Sequence, residues 1–261
     1  MSEARTASAK SREHDPRITV IQQELFDERR SKVDKYRDLV IGRDGLGPLL
    51  RYELVTLCSG WVPGALGLFL RSKLFPLVLG SVGRNVVFGA NLTLRHPHKI
   101  VIADNVVIDD NCCLDAKGTD NQGIVIGSGV FIGRNTILSC KNGDIIIDDQ
   151  ANIGFNCEIF SASRVRVGKN ILMAAYTYLV GGDHLFDRVD IPVLQQGRTA
   201  RGIDVDDNVW LGTHVVVTDG SRIGRDAIIG AGAVVVGEIA EFAIATGIPA
   251  KFVRDRRTAA E

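Results

Sequence analysis

The chain has 261 residues, with 31 lysines and arginines balanced by 31 aspartates and glutamates. That length fits one large domain or two small ones, and a formal net charge of zero supplies no basic field of the kind nucleic acid requires, so no nucleic-acid partner is expected. The five cysteines, at 58, 112, 113, 140 and 157, form neither a disulfide framework nor a metal-ligand spacing.

Residues 1–17 are polar and charged, and read as a disordered tail. They hold no apolar h-region, so no secretory signal is expected and a cytoplasmic, reducing compartment is the default. Residues 18–41 place Ile21, Leu25, Val33, Tyr36 and Leu39/Val40 three to four apart among helix-forming residues, which predicts one or two amphipathic helices ending near Gly42 and Gly45. From Leu54 to Leu70 the chain runs 17 residues without a charge, and Arg71 and Lys73 then interrupt it before LFPLVLG resumes. This is the short limit for a membrane span, and Gly60, Pro63, Gly64 and Gly67 argue against one straight helix. Two readings of 18–80 stay open: an apolar cap over the end of whatever follows, or an interfacial hairpin that touches the inner face of a membrane through 54–76.

From Val82 a different order begins. Aliphatic or aromatic residues recur every sixth position in groups of three: Val82, Phe88, Leu94; Ile102, Ile108, Leu114; Ile126, Ile132, Leu138; Ile147, Ile153, Ile159; Val167, Met173, Leu179; Val205, Leu211, Val217; Ile223, Ile229, Val235. Neither a helix nor a plain strand repeats in sixes. A triangular prism does, each side sending one large and one small residue inward before the chain turns a corner. The small slot four residues on holds Val209, Val215, Ser221, Ala227 and Ala233, and upstream it holds Cys112 and Cys157, which are read as packing residues. Between the first six groups the step lengthens to 8, 12, 9, 8 and 26 residues, so every insertion falls at the same corner. The fold expected over 81–238 is therefore mainly β: a left-handed parallel β-helix of about seven three-sided coils. Its coils bury their inward row only by stacking, so the first needs a cover. Gly, Asn and Asp mark the corners, as in FGANL, IGRNT, IGFNC and VGKNI.

One corner is oversized. Residues 180–204 form a long loop pinned at both ends to rigid coils, the usual place for function. It contains one histidine, His184, preceded by Gly181, Gly182 and Asp183. His96 and His98 flank Pro97 at the first corner but lack a third nearby ligand, so no metal is expected there. Residues 239–261 close the chain with a basic tail of Lys251, Arg254, Arg256 and Arg257.

Three segments carry a family resemblance: the GGDHLFD loop, the DNVWLGTHVVV side and the closing GAGAVVVGEIAEFAIATGIPAKFVR. From about Val82 to Arg254 the chain resembles the hexapeptide-repeat acyltransferases, in particular the O-acetyltransferases of sugars and polysaccharides of the maltose and galactoside type. The resemblance implies a homotrimer with active sites between neighbouring subunits, and acetyl-CoA as co-substrate along the outside of the prism. It further implies a hydroxyl acceptor on a sugar or a polysaccharide or glycolipid precursor. On this match His184 is the general base, Trp210 and Thr213 line the donor's path, the Ala231 backbone contacts the pantetheine, and Lys251 and Arg254 meet the phosphates. The chain departs from the pattern at Val236, where the family has a threonine, and at Gly154, where it has a sugar-binding asparagine.

The chemistry agrees. A hydroxyl that attacks a thioester needs a base to take its proton, and histidine titrates nearest neutrality. Direct attack needs no acyl-enzyme, in keeping with the lack of a serine or cysteine nucleophile constellation. Asp183 or Asp187 can orient the imidazole, and spacing does not choose between them. The competing readings are a non-catalytic trimeric scaffold and a zinc lyase of the γ carbonic anhydrase kind. The latter needs a histidine pair about five residues apart, which His96, His98, His184 and His214 do not provide.

Overall fold

The computed structural model describes residues 30–258; the 1–17 tail and the 18–29 part of the expected first helix lie outside the described residues. Helix α1, Lys32–Tyr36, starts at Ser31, whose hydroxyl accepts the Asp34 N–H, and runs on as a wider turn, Arg37–Ile41. Gly42 ends it at φ 68°, as the sequence indicates. A side chain there would collide with the His96 ring, 2.4 Å from where a Cβ would sit. Helices α2, Leu46–Val55, and α3, Gly64–Leu74, follow, joined by a turn at Thr56–Gly60. No described helix is long and apolar enough to cross a membrane.

The rest is the prism. Three parallel sheets form its faces: the first from Ser81–Val82 to Glu238–Ile239, the second from Val87–Phe88 to Ala243–Thr246, the third from Thr93–Arg95 to Val234–Val235. Register is one side per coil. On the first face Val82, Ile102, Ile126, Ile147, Val167, Val205, Ile223 and Ile239 stand directly over one another. All the sixth-position residues except the first, Val82, are buried, as are the small-slot residues Cys112, Cys157, Ser221, Ala227 and Ala233. This is the left-handed parallel β-helix that the six-residue period requires. Corner asparagines adopt positive φ, which their short polar side chain tolerates, and bond to one another between coils: Asn85 to Asn105 at 3.0 Å, Asn135 to Asn156 at 3.0 Å, Asn170 to Asn208 at 3.1 Å.

The prism is longer than the period suggests. After seven full coils, the strands Glu238–Ile239 and Ala243–Thr246 add two sides of an eighth. The step from Val235 to Ile239 is four rather than six and the following inward residue is only Ala245, so the beat fades in the sequence while the ladder continues. Lys251–Asp255 then folds back antiparallel on Ala243–Thr246.

At the other end the apolar segment covers the first coil. The Phe75 ring meets Phe88 edge-on at 5.2 Å, and the Tyr52 hydroxyl donates to the Leu94 carbonyl at 2.8 Å. Arg71, which reads as an interruption of the apolar run, is 2% exposed. Its guanidinium donates to the carbonyls of Phe88, Ser59 and Val62 at 2.8, 3.1 and 2.7 Å, tying the bend between α2 and α3 to the prism. Gly67 lets α3 pass close, since a Cβ there would lie 1.8 Å from the Val62 oxygen. The inner face is thus a cap. The outer face carries Leu46, Leu50, Leu54, Leu57, Trp61, Leu66 and Phe69, all exposed.

Candidate active site

The oversized corner leaves the third face at Tyr178–Gly181 and turns at once into a two-stranded antiparallel hairpin, Asp183–His184 against Arg198–Thr199. Its far end is braced by Gln196, which accepts the Arg188 N–H at 2.9 Å and donates to the Ile191 carbonyl at 3.0 Å. Its return limb is held by Asp219, a buried carboxylate that accepts the backbone N–H groups of Arg201 and Gly202 at 2.8 Å each. The sequence gives no hint of Asp219, because its partners lie a coil away.

The hairpin lays His184 beside a cavity of about 470 Å³ whose floor is Phe160, Tyr178 and Val180 on the outside of the third face. The ring is half-buried, its Nδ1 is fully buried and unpartnered, and no described group bonds either ring nitrogen. Asp183 uses a carboxylate oxygen to accept the His184 backbone N–H at 2.7 Å, and Asp187 is exposed, so neither aspartate orients the imidazole within this chain. On the same face burial pushes the Tyr178 phenol up, with the neighbouring Glu158 charge adding to it, and burial raises the Glu158 carboxyl.

The other predicted site residues lie elsewhere on the prism. Trp210 sits in the second face between Leu172 and Ile228 and is 47% exposed. Thr213 and Ala231 are exposed at the edge between the second and third faces, where the Thr213 hydroxyl donates to the Ala175 carbonyl at 2.8 Å. That edge also carries an aromatic column: Tyr176 stacks on His214 at 4.9 Å, and Phe155 meets Tyr176 edge-on at 6.4 Å. Sequence reasoning missed it because the two stacked rings occupy positive-φ corner positions where asparagine is the usual choice.

Lys251 and Arg254 lie on the antiparallel strand beyond the second face. Lys251 is exposed and has no acidic partner among the described residues, whereas Arg254 donates to the Thr258 carbonyl at 2.8 Å. Arg256 donates to the Asp226 carbonyl at 2.8 Å, and Arg257 pairs with Asp255 at 2.6 Å, holding that carboxyl down to about 2. One chain does not bring His184 together with Trp210, Thr213, Ala231, Lys251 or Arg254, and none of these five lines the His184 cavity.

His96 and His98 serve the cap. His96 Nε2 bonds the Asp38 carbonyl at 2.8 Å, and the rings stack at 6.0 Å. Among the described residues no three His, Cys, Asp or Glu side chains converge on a metal-sized site.

No protein-family model matches the chain. A probable acetyltransferase of Mycobacterium tuberculosis is 32% identical over 132 residues, which is 51% of this chain and 44% of that protein. The galactoside O-acetyltransferase of Escherichia coli is 30% identical over 130 residues, 49% of this chain and 55% of the relative. By sequence the chain is similar to acetyltransferases over about half of its length. It spans about half the length of these two curated relatives. The fold is shared with AntD, an N-acyltransferase of Bacillus cereus solved with dTDP and 3-hydroxybutyryl-CoA, at a TM-score of 0.50 and 20% identity over 76% of this chain and 91% of that one.

Proposed function

We propose that the chain is a CoA-dependent O-acyltransferase that moves an acetyl group from acetyl-CoA to a hydroxyl of a sugar or of a polysaccharide or glycolipid precursor. The observation that carries this reading is His184: an imidazole with neither nitrogen bonded, held by a braced hairpin beside a cavity, in a chain whose relatives are acetyltransferases. In the mechanism the acceptor hydroxyl lies against the ring. The ring takes its proton as oxygen attacks the thioester carbon, and the tetrahedral intermediate collapses to ester and thiolate. The imidazolium then returns the proton to the thiolate, giving CoA thiol. No acyl-enzyme is required. Burial pushes the Cys112 and Cys140 thiols up to about 11 and about 12 and raises Cys113 and Cys157, so these four stay protonated and are poor nucleophiles.

The donor's path on this reading follows Trp210, Thr213 and the Ala231 backbone, with Lys251 and Arg254 at the phosphates. Because these residues lie on other faces and edges than His184, the complete site needs a second copy whose donor edge abuts the first copy's hairpin, as in a homotrimer. Arg254 is already engaged by the Thr258 carbonyl, so Lys251 is the freer cation. A Cβ at Gly154 would stand 2.8 Å from the Ala175 nitrogen, so no sugar-binding side chain fits there and other groups must hold the acceptor. The exposed outer face of α2 and α3 supports a narrower reading, that the acceptor is lipid-linked and the cap rests on a membrane surface.

The test is thiol release from acetyl-CoA with a panel of sugars, run on wild type and His184→Ala at matched sedimentation. Loss of a general base lowers turnover by about 10²- to 10⁴-fold. Equal rates would remove His184 from the mechanism, and no release from any acceptor would leave a scaffold.

A further inference from the structure

The insertions at one corner do more than carry the His184 hairpin. Successive coils place Lys99, Lys117 and Lys141 along that edge, and the hairpin adds Arg198 opposite His184 in the strand pair. These side chains line a second cavity of about 850 Å³ that reaches the N-terminal cap at Gly42 and Arg43 and shares Lys141 and Arg198 with the His184 cavity.

The carboxylates of this edge are engaged elsewhere: Asp120 accepts the Thr119 hydroxyl at 3.0 Å, and Asp144 accepts the Gln122 and Gly123 N–H groups at 2.7 and 2.9 Å. Lys99 is spent on the Gly118 carbonyl and the Asn121 amide oxygen, both at 2.8 Å. Arg95 and Lys117 share the single buried carboxylate of Asp115 at 3.4 and 3.7 Å. Lys141, half-buried, and Arg198 have no acidic partner among the described residues. At the cap end Asp38 and Asp44 already face Arg37 at 3.8 and 3.3 Å, and Asp183 accepts the His184 backbone. Burial lowers the Lys141 pKa, and the charges of Lys117, Arg198 and Arg95 lower it further against the pull of Asp115. A half-buried ammonium in a field of like charge is stabilised by a multivalent anion, and lysine is a good phosphate binder.

We infer that Lys117, Lys141 and Arg198 form a phosphate subsite for the acceptor, so that the sugar presented to His184 carries a phosphate or pyrophosphate group. This rests on His184 as the base of an acyl transfer. The direction along the prism separates the subsite from the donor: the cationic groove leads from the His184 coil toward the cap, whereas Lys251 and Arg254 stand at the far end. A nucleotide-linked and a lipid-linked sugar present the same diphosphate, and both fit this chemistry.

The site is tested first without turnover, by calorimetry with inorganic pyrophosphate on the wild type, on the double variant Lys141→Gln/Arg198→Gln, and on Lys141→Arg. Wild type and Lys141→Arg bind, and the double variant binds at least about tenfold more weakly, the loss expected for charge-assisted bonds. No binding by wild type, equal binding by the double variant, or displacement of pyrophosphate by CoA overturns the assignment. The second arm compares kcat/KM for a neutral sugar, a nucleoside-diphosphate sugar and a polyprenyl-diphosphate sugar. Preference for either diphosphate, reduced at least about tenfold in the double variant, supports the subsite and identifies its source; wild-type preference for the neutral sugar overturns it. Pyrophosphate binding that depends on Lys141 and Arg198, with no acyl transfer to any acceptor, would sink the catalytic reading and leave the anion site standing.

Discussion

A buried ring nitrogen without a partner costs on the order of 1–3 kcal/mol, and among the described residues three histidines carry one: His96, His98 and His184. The first two differ from the third in what the rest of the ring does. His96 is bonded to the Asp38 carbonyl, and its ring stacks on His98 under the cap. His184 has no such bond, and its open side faces a cavity. His98 supplies a pH prediction. Burial first, then the Arg43 charge, pushes it down to about 4. An unfolded histidine titrates near ~6.5, so between that pH and about 4 the unfolded chain binds a proton that the folded chain refuses, and stability falls as the pH falls through the window. His98→Gln removes this contribution. Scanning fluorimetry of the variant is expected to show a smaller drop in Tm across the window than wild type, and an unchanged acid limb would contradict the assignment. His184 was legible as the lone histidine of the lone long loop. The Asp219 tie and the Lys117–Lys141–Arg198 cluster were not, because they exist only once residues a coil or more apart are stacked at about 4.8 Å.

The elements divide in the same way. Each side of the prism repeats its own inward signal, so the coils can be counted from sequence until Ile239 arrives two residues early and Ala245 replaces a large aliphatic. The cap was legible as apolar and bent, but not as two-faced. Arg71 was the misleading residue: it reads as the end of an apolar run, yet it is buried because three backbone carbonyls replace its water. The stripe Leu50, Leu54, Leu57 and Trp61 recurs at helical spacing on the side away from the core, with Arg51 and Lys73 exposed nearby. Each such side chain contributes about 2 kcal/mol when removed from water. Wild type is therefore expected to sediment with anionic vesicles, and Leu54→Ser/Leu57→Ser/Trp61→Ser to remain in the supernatant at an unchanged far-UV spectrum. Wild type left in the supernatant by vesicles of every composition would end the lipid-linked reading.

On the scale of the whole molecule, a stacked prism is a stiff rod in which each coil contacts only its neighbours. The oversized corner carries His184, and the rod does not bring Trp210 around to it. On the proposed mechanism, catalysis therefore requires copies meeting side by side, with the imidazole from one and the indole from the next. The measurement that bears on this most directly is CoA release, at acetyl-CoA well below saturation, by His184→Ala, by Trp210→Ala, and by the two chains co-expressed in equal amounts. Each variant alone is expected to be nearly inactive, and the mixed assembly to recover about a quarter of wild-type turnover, the share of sites with both residues intact when subunits assort at random. A mixed assembly no faster than its parents, or His184→Ala at the wild-type rate, would contradict that mechanism.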